Sequence, residues 1–139
     1  MEVAVTGATG TVGRELIGLL EEDERVTRIV ASARLPRPGT GLGWRTTPVT
    51  VADVRDPEAL DRAFAGADVV VHAAFSIYGA RQDRDELHAV NVEGSVNVAE
   101  AAARAGAKRL VYLSSVAAYG IRPDNPQPLT EDDVLKPTE

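Results

Sequence analysis

The 139-residue sequence contains no cysteine. Disulfides, thiol nucleophiles and Cys-ligated zinc or iron-sulfur centres are therefore excluded, while the redox compartment stays open. Basic excess is also missing: 15 Lys+Arg stand against 21 Asp+Glu, for a formal charge of -6, and no basic tail or block stands out. A polyanion such as nucleic acid finds no electrostatic footing here. No stretch approaches the roughly 20 apolar residues needed to span a bilayer. The opening MEVAVTGATG lacks the basic segment and apolar run of a secretory signal. A soluble cytoplasmic protein with neither membrane nor nucleic-acid partner is the expectation. The two histidines, His72 and His88, lie apart with no ligand pattern around them, so no metal site is expected.

What is present suits one compact unit. The 44% of hydrophobic residues can build one ordinary core, and the length leaves little room for a second domain. Val3 to Thr6 form a short run rich in β-branched residues that meets Gly7, after which Val12, Leu16, Ile17, Leu19 and Leu20 recur at helical spacing. A strand thus feeds a helix through glycines. Val26 to Ala31 reads as the next strand, followed between Ala33 and Thr47 by a link much longer than the usual 2 to 6 or so residues of α/β units. Thr50 to Ala52 make a short strand, and Asp56 can cap a helix whose first turn holds Pro57 and Glu58. Asp68 to Ala74, with its triple valine, reads as a strand buried on both faces. A helix is expected from about Asp83 to Ala105, burying Leu87, Val90, Gly94, Val98, Ala101 and Ala102, with Gly106 stopping it. Leu110 to Leu113 supplies a last strand before a proline-rich segment. This alternation predicts an α/β fold, a Rossmann-like parallel sheet with helices on both faces.

The segment TGATGTVG sets Gly7, Gly10 and Gly13 between the first strand and the first helix. In that context Gly7 permits the tight turn, Gly10 lets backbone amides approach a pyrophosphate, and Gly13 lets the helix pack close to the sheet. The Lys-Ser/Thr ending of a nucleoside-triphosphate loop is missing, which argues against ATP or GTP hydrolysis. At the end of the second strand a carboxylate would accept hydrogen bonds from the adenosine ribose of NAD. The sequence there reads VASARLPRP, with Ser32, Arg34 and Arg37 and neither Asp nor Glu. Such basic groups suit the 2'-phosphate of NADP, so NADP is favoured and NAD is the alternative; the competing reading of Arg34 is a solvated strand end. Asp53 follows the third strand, where its carboxylate can meet the adenine amino group while Val54 packs beside the ring. His72, in VVVHAAFS, reads either as a ligand contact or as a hydrogen-bonded structural residue.

TGATGTVG, the Asp53-Val54 pair, HAAFS, NVEGSVNVAEAA and YLSSVAAYG together resemble, in order and spacing, the N-terminal part of the extended short-chain dehydrogenase/reductases, the NAD(P)-dependent epimerase/dehydratase family. The resemblance implies that Gly7, Gly10, Thr11, Val12 and Gly13 form the dinucleotide loop and that Asp53 and Val54 are adenine contacts. It places Ala73, Ala74 and Phe75 beneath the ribose and nicotinamide side. Asn91 matches a helix asparagine that is often structural in extended members. Ser115 matches the catalytic Ser/Thr that hydrogen-bonds the reacting hydroxyl or carbonyl. The family also implies a small-molecule substrate, such as a sugar nucleotide, and a homodimer formed through helix packing.

Hydride transfer at a carbinol needs a proton acceptor, a second hydrogen bond to orient the oxygen, and a cation that lowers the acceptor's pKa. In the family a Tyr-x-x-x-Lys pair supplies the first and third. Here Tyr78, Tyr112 and Tyr119 are followed four residues later by Gln82, Val116 and Pro123. The pair in relatives falls at about the point where this sequence stops. Residues 1–139 are thus expected to be a partial NAD(P)-binding Rossmann domain, truncated before the last strands and the substrate lobe. As given, the chain is expected to bind a dinucleotide without turning over substrate. A dinucleotide-binding sensor or interaction protein without enzymatic activity is the alternative.

Overall fold

The computed structural model describes residues 1–35, 42–45, 47–77, 84–120 and 122–136. Arg37, Tyr78, Gln82 and Asp83 lie outside the described residues. Five strands, β1 (Glu2–Thr6), β2 (Arg28–Ala33), β3 (Val49–Val51), β4 (Val69–His72) and β5 (Arg109–Tyr112), form one parallel sheet in the order β3-β2-β1-β4-β5. The helices are α1 (Thr11–Leu20), α2 (Pro57–Phe64), α3 (Arg84–His88) and α4 (Gly94–Arg104). The Rossmann-like architecture read from the sequence is the observed one.

The alternation of side chains along β1 divides the core. Val3 and Val5 face α1 and meet Ile17, Ala31 and Trp44, whereas Ala4 faces α2 and α4 with Leu60, Phe64, Val70, Val98 and Ala101. Trp44 belongs to the long link after β2. Its buried indole donates from Nε1 to the Arg14 carbonyl at 3.0 Å, and so pins that link to α1. Glu21 holds the same link further along by accepting from the Thr47 hydroxyl at 2.6 Å and the Arg45 amide at 2.7 Å.

Local chemistry explains α2. Asp56 Oδ1 accepts from the Ala59 amide at 3.0 Å, Pro57 occupies the first turn, and Leu60 and Phe64, one helical turn apart, are fully buried. Such a cap contributes about 1 kcal/mol, and burying each large apolar side chain roughly 1.5–3 kcal/mol.

Several boundaries differ from the sequence reading: the ends of β3, β4 and β5 shift by one or two residues, and in β4 only Val70 and His72 are fully buried, so the strand is not buried on both faces throughout. β2 begins at Arg28, because the Val26 amide closes the turn after α1 on the Asp23 carbonyl. It continues through Ser32, a polar residue accommodated in the core because its hydroxyl donates to the Val5 carbonyl at 3.1 Å. The long helix is also not uniform: a π-helical segment, Ala89–Glu93, separates α3 from α4. Its inward face is as anticipated, with Leu87, Val90, Gly94, Val98, Ala101 and Ala102 all buried. Among the described residues no helix is long and apolar enough to cross a membrane.

Candidate dinucleotide site

A cleft opens at the C-terminal ends of the strands where the chain, having run outward from β1 through β2 to β3, returns to β4 on the other side of β1. In open α/β sheets this reversal leaves a crevice between the two sets of loops. The β1–α1 turn supplies Gly7, Thr9 and Gly10, and the end of β2 supplies Ala33 and Arg34. Ala52, Asp53 and Val54 follow β3, Ala73 to Ser76 follow β4, and Val90 comes from the π-helical segment.

Gly7 has a φ of +67°, and a Cβ there would stand 2.5 Å from the backbone of Ala73 and Ala74. Both conformation and space therefore demand glycine. At Gly13 a Cβ would lie 2.3 Å from the Gly7 carbonyl oxygen, so its absence lets α1 start directly behind the turn. Gly10 caps α1 without a side chain, and no acidic residue sits in the first turn. The helix start, with the amides of Thr11, Val12 and Gly13, thus presents a positive end suited to an anion. The side chains of Thr11 and Val12 do not line the cleft, and that of Val12 is exposed.

At the end of β2, Ser32 and Arg34 diverge. Ser32 is buried with its hydroxyl on Val5, whereas Arg34 lines the cleft, half exposed, with Glu86 of α3 at 3.5 Å. Across the cleft floor, Arg55 grips Asp53 from Nε to Oδ1 at 3.0 Å and from a terminal nitrogen to Oδ2 at 2.6 Å. This pairing holds the Asp53 carboxyl below the usual carboxylate range and raises the Arg55 guanidinium. Asp53 therefore stays ionised and fixed in direction. Arg55 was not anticipated, although its place two residues after Asp53 was the available signal.

The opposite wall is braced from behind. Asn91 Oδ1 accepts from the Ser76 amide and its Nδ2 donates to the Ser76 carbonyl, both at 2.8 Å. His72 is buried under this wall, with Nδ1 2.7 Å from Thr6 Oγ1 and Nε2 3.0 Å from Ser95 Oγ. Burial pushes its pKa down to about 4, so the ring is neutral at physiological pH. Of its two readings, the structure supports the hydrogen-bonded structural residue. His88 is exposed beside Glu93, and no group of metal-ligating side chains forms among the described residues.

The structure thus brings Gly7, Gly10, Arg34, Asp53, Val54, Ala73, Ala74 and Phe75 to one cleft. Ser32 and Asn91 sit behind its walls. Ser115 lies outside the lining: it is exposed, and its Oγ accepts from the Ala117 amide at 3.2 Å, capping the 3-10 turn Val116–Tyr119. Thr9, Ala33, Ala52, Ser76 and Val90 join the lining without having been singled out in the sequence. Small or apolar side chains carry no chemical signature, so only the fold reveals their place in the cleft.

Known proteins share this arrangement. The chain is 40% identical over 115 residues to an L-arabinose 1-dehydrogenase (NAD(P)(+)) of Haloferax volcanii, covering 81% of this chain and 40% of that protein. It is 38% identical over 118 residues to a ceramide reductase of Caulobacter vibrioides, covering 84% of this chain and 35% of the reductase. Among solved structures, a short-chain dehydrogenase/reductase superfamily protein from Agrobacterium tumefaciens with bound NAD superposes with a TM-score of 0.83 at 33% identity. That superposition covers 100% of this chain and 40% of the other. A Thermus thermophilus UDP-glucose 4-epimerase in complex with NAD gives a TM-score of 0.80 at 26% identity, with 99% and 45% covered. The chain therefore spans about two-fifths of the length of these curated relatives. Residues 3–139, from the first strand through the glycine turn to the end, match the shared pattern of such proteins, and the chain belongs to the NAD dependent epimerase/dehydratase family.

Proposed function

We propose that this chain is the nucleotide-binding part of an NAD(P)-dependent oxidoreductase or epimerase/dehydratase that acts by hydride transfer on a hydroxyl or carbonyl substrate. The observation that carries the reading is the junction of Gly7 and Gly13 with an α1 start that has no side-chain cap and no first-turn acid. That bare, positive end fits a pyrophosphate, and the fit comes from this chain's own backbone. When bound, the nicotinamide supplies the hydride acceptor or donor.

The chain's residues would divide the binding. The α1 amides hold the pyrophosphate, Asp53 takes the adenine amino group with Val54 against the ring, and Ala73 to Phe75 lie under the nicotinamide side. Arg34 meets the 2'-phosphate, which favours NADP over NAD; bound NAD in the structural relatives keeps NAD as the second candidate. In the same reading Ser115 orients the reacting oxygen once released from its turn, and a sugar nucleotide is a candidate substrate. A homodimer through α4 is supported by the exposure of Val92 and Val96 beside and on that helix. Residues 1–139 are then a partial Rossmann unit of a larger catalyst.

A dinucleotide-binding sensor or interaction protein is the second reading, and it rests on one observation: within residues 1–139 none of Tyr78, Tyr112 and Tyr119 is followed four residues later by lysine. Calorimetric titration with NADP and NAD tests the shared claim of binding. Hydride exchange between a reduced dinucleotide and a panel of sugar-nucleotide and simpler carbonyl compounds, measured on the larger protein of which this chain would be the nucleotide-binding part, separates enzyme from sensor: turnover supports the first reading, and tight binding with none supports the second.

A further inference from the structure

The polar residues behind the cleft form one hydrogen-bond chain with a fixed direction. Ser95 has a single hydroxyl proton, which it donates to the Asn91 carbonyl at 2.7 Å. The 3.0 Å contact between Ser95 Oγ and His72 must then run the other way, with His72 Nε2 carrying the ring proton. Nδ1 is left as a bare acceptor, and the Thr6 hydroxyl donates to it at 2.7 Å. The series runs from Thr6 through His72 and Ser95 to Asn91.

Its two ends reach opposite sides of the cleft. Thr6 immediately precedes Gly7, the turn that faces the α1 start. Asn91 sits in the π-helical segment and clamps both backbone groups of Ser76, a residue of the far wall. His72 and Ser95 themselves do not line the cleft. Local π-helical turns often occur at functional sites, where they re-aim side chains.

We propose that His72 and Ser95 are positioning residues for the dinucleotide: their directed hydrogen bonds hold Asn91, and through it the Ala73–Ser76 wall, in register with the glycine turn. The proposal rests on the dinucleotide reading above. A role in core stability alone would lower the melting temperature without regard to which ring nitrogen is replaced. Positioning depends specifically on the link from Nε2 to Ser95.

The test uses four substitutions. Ser95→Ala removes the link and Ser95→Thr keeps the hydroxyl; His72→Asn keeps a group near Nδ1, and His72→Gln keeps a donor near Nε2. NADP dissociation constants, Ser76 amide exchange by NMR and thermal unfolding are measured together. Ser95→Ala and His72→Asn are expected to weaken binding by about five- to tenfold and to speed Ser76 exchange, in line with the loss of one hydrogen bond. Ser95→Thr and His72→Gln are expected to stay within about twofold of the parent protein. Equal losses for His72→Asn and His72→Gln, or unchanged exchange and affinity in Ser95→Ala, would overturn the proposal. If the parent protein binds neither NADP nor NAD, the functional reading fails, and the proposed role in dinucleotide positioning fails with it. Ser76 exchange then reports separately whether the hydrogen-bond chain orders the wall.

Discussion

Arg55 engages both carboxylate oxygens of Asp53, at 3.0 Å and 2.6 Å, from a position only two residues further along the chain. The guanidinium fork fixes the carboxylate's plane and its charge together. Because the adenine ring is common to NAD and NADP, Asp53→Ala is expected to weaken both equally, by about tenfold, the loss of one hydrogen bond to a charged acceptor. Isothermal titration with each dinucleotide checks this, and a loss confined to one of them would remove Asp53 from the adenine site.

On the proposed reading, Arg34 discriminates between the two dinucleotides. Its contact with Glu86 is long, at 3.5 Å, and solvent-screened, so a 2'-phosphate can displace it. Arg34→Ala should weaken NADP by about tenfold or more and leave NAD nearly unchanged. Glu86→Gln, which frees the arginine, should tighten NADP by about two- to fivefold. Equal loss for both dinucleotides in Arg34→Ala would defeat the 2'-phosphate assignment.

Gly10 offers a way to separate binding from folding. Its φ of -74° is open to any residue, and a Cβ there would meet only the Gly7 carbonyl oxygen, at 3.2 Å. Gly10→Val should therefore leave the protein folded while covering the α1 start, with dinucleotide affinity falling by at least about tenfold. An unchanged Kd in a folded variant would show that the pyrophosphate lies elsewhere.

The architecture was legible in the sequence because its signals are local and repeated. The β-branched run from Val3, the Asp56-Pro57-Glu58 helix start and the small-residue stripe from Val90 to Ala102 each act over a few residues. The glycine turn was legible for the same reason, and Gly7, Gly10, Arg34, Asp53, Val54 and Ala73 to Phe75 line one cleft. What escaped depends on contacts far apart in sequence. Ser32 lies two residues before Arg34, yet it is still inside β2, where its hydroxyl bonds the Val5 carbonyl, whereas Arg34 follows the end of the strand. The pairing of His72 with Ser95 spans 23 residues and arises only once β4 and α4 are packed. Trp44 gave no sign, in an irregular link, that it would close the core over α1.

The burial of His72 sets a pH dependence of stability. Its folded value of about 4 lies below the ordinary 6.5, so between these values the unfolded chain binds a proton that the folded one lacks. Stability should therefore rise with pH across that window and be lost as pH falls through it, by at most about 1.4 kcal/mol per pH unit. The contribution of Asp53, whose carboxyl is lowered, is lost only on acidification below its ordinary value of 3.8, outside this window. Urea unfolding of the parent protein and His72→Gln across the window checks the assignment. The variant should show a flatter profile, and parallel profiles would place the titration on another group.

On the proposed reading, the cleft between the glycine turn and the Ala73–Ser76 wall binds a nicotinamide dinucleotide. Calorimetric titration of the purified protein with NADP and, separately, NAD tests it most directly. Saturable one-to-one binding of both, with NADP the tighter, is the expected result; the absence of saturable binding by either would contradict the account.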